Sequence, residues 1–235
     1  GRRGTEKPCN GRNIPDFRER GIEMELQEVL PGEIERRSME IITEELGERG
    51  FDPKESPIIK RVIHTTADFD FAENLYFSPG AVDAAAQAIR NGAGIVTDTN
   101  MAMTGINKKV LAQFGGQAYC FMADEKIAQT AKEKGITRAS ASMDQAAALS
   151  GPLLFAIGNA PTALVRLCQL IEQGVLKPAC VIGAPVGFVN VIESKKMLME
   201  MDVPMIVAQG RKGGSAVAAA IVNAILYEMA ASRLS

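Results

Sequence analysis

The chain has 235 residues, 46% hydrophobic and 23% charged, proportions that exclude a disordered or collagen-like protein. A formal charge of −2 supplies no field to gather nucleic acid or an anionic membrane, and 0 Trp and 3 Tyr leave few platforms for stacking bases. No apolar run reaches the roughly 20 residues that span a bilayer and no leader-like segment opens the sequence, so a cytoplasmic protein without nucleic-acid or membrane partners is expected.

Residues 1–30 begin basic and loop-like and read as a tail with a short peripheral helix, apart from a single domain over 31–235. After Pro31-Gly32, residues 33–49 carry Ile34, Met39, Ile41, Ile42 and Leu46 at helical spacing, with Gly47 and Gly50 as stops. Ser56-Pro57 opens a second helix through Ile58, Ile59, Val62 and Ile63, and Ser78-Pro79-Gly80 opens a third over 81–90. From about residue 93 the pattern changes. Five short apolar runs (GIVTD, QAYCFM, LLFAIG, ACVIGA, PMIVAQ) alternate with helical segments, the first over 107–114. DEKIAQTAKEKG, APTALVRLCQLIEQG, ESKKMLMEMD and SAVAAAIVNAILYEMA follow the other four in turn. Unalternated Val- and Ile-rich runs suit strands buried on both faces of a parallel sheet, and strict strand–helix succession predicts a doubly wound α/β fold.

In such sheets ligands bind beyond the carboxyl ends of the strands. The turns there are TDTNMAMTG (97–105), GNAPTAL (158–164), GAPVGFVN (183–190) and GRKGGSA (210–216). GRKGGS ahead of a helix suits an anion, with Arg211 and Lys212 beside free N–H groups, but none of the four has P-loop or Rossmann spacing.

The scarce residues narrow the chemistry. Cys9, Cys120, Cys168 and Cys180 form no C-x-x-C pair, and the last three lie in apolar stretches as small hydrophobes. His64, in KRVIHTTADFDF, is the only histidine, too few for a metal site. It is either a helix-end histidine bonded to a carbonyl or a proton donor, imidazole being the side chain that titrates nearest neutrality. Asp68 and Asp70 either orient that imidazole or shape a turn. Arg166, Lys195 and Lys196 fall inside helices and read as solvated faces, whereas Arg138, in GITRASAS, reads as a turn residue open to an anionic ligand.

RVIH, TDTNMAMTGI, GNAPTAL, GAPVGFVNVIESK and GRKGGSA, in this order from about Pro31 onward, resemble the precorrin-8X methylmutase (precorrin isomerase, cobalt-precorrin-8 methylmutase) family. The resemblance implies a flavodoxin-like three-layer α/β/α fold with a five-stranded parallel sheet and an extra helical N-terminal region. It implies a homodimer and an isomerase of cobalamin biosynthesis. That isomerase moves a methyl group between neighbouring ring-C carbons of a corrinoid, giving hydrogenobyrinic acid or its cobalt form, cobyrinic acid. No separate cofactor is implied, and any cobalt arrives inside the substrate. The family's catalytic histidine falls on His64, and the resemblance implies that it protonates a ring nitrogen. Ser38 and Arg138 match substrate contacts, and Thr97, Asp98, Asn100, Met101, Asn159, Gly213, Gly214 and Ser215 are expected around the acidic side arms. Glu35 stands where the family often has Tyr. The alternative is a non-catalytic corrinoid carrier of similar fold, but His64 lacks the D-x-H-x-x-G setting of a cobalt-ligating loop.

Overall fold

The computed structural model describes residues 30–233, so the expected tail helix and Cys9 lie outside the described residues. The chain divides into two compact units at Arg37 and Ser38, each taken by itself. In the first, the described part is a 3-10 turn (Pro31–Glu33) and the opening of helix α1 (Ile34–Leu46), where Arg36 pairs with Glu33 at 3.1 Å.

The second unit holds the rest of α1, which stops at Gly47 as expected, in a left-handed conformation (φ 61°). Then come α2 (Ser56–Thr66), α3 (Phe71–Asn74), β1 (Leu75–Phe77), α4 (Ala81–Arg90) and β2 (Gly94–Thr97). α5 (Asn100–Gly105), α6 (Lys108–Gln113), β3 (Gln117–Tyr119), α7 (Glu125–Lys134), α8 (Arg138–Ala146) and β4 (Leu153–Ile157) follow. The unit ends with α9 (Pro161–Glu172), β5 (Cys180–Gly183), α10 (Val191–Met199), β6 (Met205–Ala208) and α11 (Ser215–Ala231).

The strands form one six-stranded sheet in the order β1-β6-β5-β4-β2-β3. β2 to β6 are the five expected strands and run parallel to one another. The expected all-parallel sheet is corrected by β1, which pairs antiparallel with β6 from Leu75 opposite Ala208 to Phe77 opposite Ile206. Three residues, Leu-Tyr-Phe, give too little alternation to announce a strand, and edge strands are often this short.

Strand periodicity divides the core. Ile95, Leu154, Ile182 and Ile206 face one side and pack with α1, α2, α4 and α11. Val96, Phe155, Val181 and Val207 face the other and pack with α8, α9 and α10. Helices therefore cover both faces, which explains why these strands read as unbroken apolar runs. Each such side chain, fully buried, contributes about 1.5–3 kcal/mol. α2 lies along α11, and the Arg61 guanidinium stands 5.0 Å from the centre of the Tyr227 ring.

Two segments taken as turns are helical. Arg138 is the first residue of α8, which Thr137 caps by accepting the Ser140 N–H at 3.1 Å. RASASMDQA hides this helix because serines break the apolar stripe. TDTNMAMTG likewise contains α5, capped by Thr99 accepting the Ala102 N–H at 3.0 Å.

Candidate active site

From β2 the chain crosses to β3 on one side and then to β4 on the other, so the winding reverses between β2 and β4. A crevice opens at the carboxyl ends of two strands related in this way. Asp98, the residue after β2, has no exposed surface. Its carboxylate accepts the backbone N–H groups of Gly158, Asn159 and Ala160 at 2.8, 2.8 and 2.6 Å. Burial raises its pKa and outweighs these three donors, which act in the opposite sense. Both oxygens are engaged by the loop after β4, so Asp98 fixes the two sides of the crevice to each other.

The start of α11 closes against the same loops. Thr99 Oγ1 lies 2.8 Å from Ser215 Oγ. A Cβ on Gly158 would stand 2.6 Å from Ser215 Cα, so only glycine lets β4 and α11 meet this closely. Thr97 is fully buried, its hydroxyl within reach of the carbonyls of Thr99 (3.0 Å) and Tyr119 (3.2 Å). The loop after β5 joins through Ala184, whose carbonyl accepts the Gly214 N–H at 2.8 Å. A side chain at Gly213 (φ 156°) would collide with that carbonyl oxygen.

The two lysines of these motifs both bond within the protein. Lys195 is 1% exposed, which corrects the expectation of a solvated helix face. Its ammonium donates to the carbonyls of Gly210 at 2.9 Å and Lys212 at 2.8 Å, and burial lowers its pKa to about 8. Lys212 reaches back over the sheet edge to Asp68 and Asp70, 2.6 Å from each. That hydrogen bond holds Asp68 below the ordinary carboxylate range, and the same pair raises Lys212. Asp68 and Asp70 therefore grip a lysine and do not orient the imidazole.

These bonds bring the end of α2 to the carboxyl edge. α2 terminates at Ala67, in a left-handed conformation (φ 52°) with its N–H on the Ile63 carbonyl at 2.7 Å. His64 lies in this last turn and is half-buried. Among the described residues no group hydrogen-bonds its ring.

The structure thus gathers Thr97, Asp98, Asn159, Gly213, Gly214, Ser215 and, through Lys212, the His64 end of α2. Asn100 and Met101 open α5 at the same edge and are exposed, Met101 to 72%. Arg138 is exposed beside the start of α9, where Thr137 Oγ1 meets Thr162 Oγ1 at 3.0 Å. Ser38 is half-buried on α1, a helix that shares the core of α2 through Ile42 and Leu46. The sequence reading missed Val186, Phe188 and Val189, exposed to 46%, 83% and 78% in the loop after β5. Their signal was available, since PVGFV is an apolar run inside a loop, where polar residues are the rule. The Arg211 guanidinium lies 5.7 Å from the Phe188 ring centre.

Comparison with known proteins places the chain in a family. The precorrin-8X methylmutase family profile matches residues 33–228. The cobalt-precorrin-8 methylmutase of Salmonella typhimurium is 47% identical over 205 residues, covering 85% of this chain and 96% of the relative. That of Priestia megaterium is 45% identical over 197 residues, covering 84% and 88%. The precorrin-8X methylmutase of Pseudomonas aeruginosa is 36% identical over 197 residues, covering 83% and 94%. Among solved structures, the precorrin-8x methyl mutase from Thermus thermophilus superposes with a TM-score of 0.78 at 40% identity, covering 85% of this chain and 98% of the other. The chain belongs to the precorrin-8X methylmutase family.

Proposed function

We propose that this protein is the methylmutase of cobalamin biosynthesis that converts precorrin-8, free or cobalt-bound, into hydrogenobyrinic or cobyrinic acid, with His64 as its proton donor. One observation carries the assignment of the acid. The chain's single histidine stands half-buried, without a protein hydrogen-bond partner among the described residues, on a helix end tied to the carboxyl-edge loops. The strand order β3-β2-β4-β5-β6 supports a flavodoxin-like sheet with the antiparallel β1 added at its edge.

In the reaction a carbon–carbon bond to a ring-C carbon breaks and a bond from the same methyl forms to the neighbouring carbon. Atoms and electrons balance within one molecule, so no separate cofactor is required. Protonation of a ring nitrogen by His64 withdraws electron density from the conjugated system and lowers the barrier to migration. The proton returns to the imidazole once the methyl has moved.

The remaining edge residues suit a flat macrocycle with acidic arms. Met101, Val186, Phe188 and Val189 offer apolar surface to the ring system. Arg138, Arg211, Asn100, Asn159, Ser38 and Ser215 offer donors to carboxylates, and the Gly213-Gly214 backbone completes that wall. Thr97 and Asp98 hold the loops in place from behind. Relatives named for the cobalt substrate are 38–47% identical to this chain and those named for precorrin-8X 35–40%, so identity favours a cobalt-bearing precorrin only narrowly. A homodimer belongs to this reading on family likeness, and a reduced cytoplasmic setting on the buried free thiols of Cys168 and Cys180.

Absorbance titration with hydrogenobyrinic acid and, separately, cobyrinic acid tests the assignment. A saturable spectral change with at least one of them, tighter for the cobalt form, is the expected result. Absence of binding to both would overturn it.

A further inference from the structure

The loop between β6 and α11 is built from residues that do not hold a shape by themselves. Gly210, Gly213 and Gly214 all have positive φ (70°, 156° and 128°), and such glycines lose more conformational freedom on ordering than any other residue. Against this loop the fold places Lys195, fully enclosed by α10 and its neighbours and, among the described residues, bonded only to two carbonyls of the loop. Enclosing an ammonium opposite neutral carbonyls is unfavourable relative to an apolar side chain of the same length, so packing alone does not account for a lysine here. Its two bonds fall on Gly210 and Lys212, on either side of Arg211. The loop, once held, presents Lys212, whose ammonium spans Asp68 and Asp70. Asp68 is four residues beyond His64, and Asp70 N–H donates to Asp68 Oδ1 at 3.0 Å, so the turn is closed on itself.

We propose that Lys195 and Lys212 form a positioning strut that runs from α10 through the β6 loop to the turn after α2 and sets where His64 stands relative to the β6 loop. Neither lysine is a catalytic residue, since one is enclosed and the other is occupied by two carboxylates. Individually the Lys212 contacts are half-exposed and weak. Their effect comes from the enclosed anchor at Lys195, which removes the freedom of the loop to drift. The catalytic consequence rests on His64 being the acid, whereas the placement of His64 does not.

That difference makes the two separable by experiment. Because the chain has one histidine, the imidazole resonances in a nuclear magnetic resonance spectrum report His64 alone, without reference to turnover. Lys195→Met, Lys212→Met and the double variant are compared with wild type in those resonances and in steady-state kinetics. The strut predicts shifted or broadened His64 signals in each variant. It also predicts kcat at least tenfold lower, KM within about threefold, and a double variant no worse than the worse single one. Unmoved His64 signals in Lys212→Met, or losses in kcat that multiply in the double variant, would overturn the strut. Shifted signals with undiminished kcat would keep the strut and remove His64 from the chemistry. If Lys195→Met does not fold, Lys212→Met, changed at a half-exposed side chain, decides between these outcomes.

Discussion

Asp98 and Gly158 stand at the ends of adjacent parallel strands, and the Gly158 N–H donates to the Asp98 carboxylate at 2.8 Å. With Asn159 and Ala160 bonded to the same side chain, one buried acid fixes both walls of the crevice at which the winding of the sheet reverses. Loops beyond the ends of strands are mobile in many proteins, whereas here a carboxylate without solvent contact locks two of them together.

Asp98→Asn keeps the volume but turns an N–H₂ group toward backbone donors. The expected cost is on the order of 3 kcal/mol, from lost charge-assisted bonds and an unsatisfied buried N–H. Urea unfolding measures it, and a change below about 0.5 kcal/mol would show that the clamp contributes nothing.

Gly158→Ala places a methyl against the Ser215 backbone, which cannot rotate away. A loss of about 1–3 kcal/mol is expected, together with weaker corrinoid binding as α11 is pushed from β4. Gly50→Ala, with nothing within 4 Å of the added carbon, is the control and should lie within about 0.5 kcal/mol of wild type.

Much of this arrangement was legible in the sequence, and the rest was hidden for identifiable reasons. Val- and Ile-rich runs ending in Gly or Asn turns revealed β2 to β6, since burial on both faces leaves a continuous apolar signature. β1 stayed hidden because it is three residues long and pairs at an edge with β6, which lies far along the chain. α8 stayed hidden because a serine-rich segment becomes helical through the Thr137 cap and packing of Met143 and Ala146. Single residues were harder than elements. Lys195 looks like any helical lysine until the β6 loop folds over it, and nothing local to Asp98 announces the three N–H groups that the loop after β4 brings to it.

Lys195 also makes a prediction about pH. Its folded pKa, about 8, lies below the ordinary 10.5, so between those values the unfolded chain carries the extra proton. Stability then rises with pH in that window, because the penalty for an enclosed ammonium is present below about 8 and is relieved above it. The unfolding free energy of wild type relative to Lys195→Met is expected to increase from pH 7.5 to pH 10. A constant difference would mean the ammonium is not desolvated.

Cys168 and Cys180 have no exposed surface, and burial pushes both thiols up to about 12, whereas Cys120 is half-buried. A thiol reagent at pH 8 is expected to modify Cys120 in the native protein while Cys168 and Cys180 react only on unfolding. Peptide mass mapping reads this directly, and equal labelling of all three in native protein would contradict the packing around β5 and α9.

The central claim is that His64 supplies the proton for methyl migration, and single-turnover conversion of the precorrin-8 substrate by His64→Ala tests it most directly. General acids contribute about 10²–10⁴-fold, so the account predicts at least a hundredfold slower migration, with the dissociation constant for product within about threefold of wild type. Migration within twofold of the wild-type rate would contradict it.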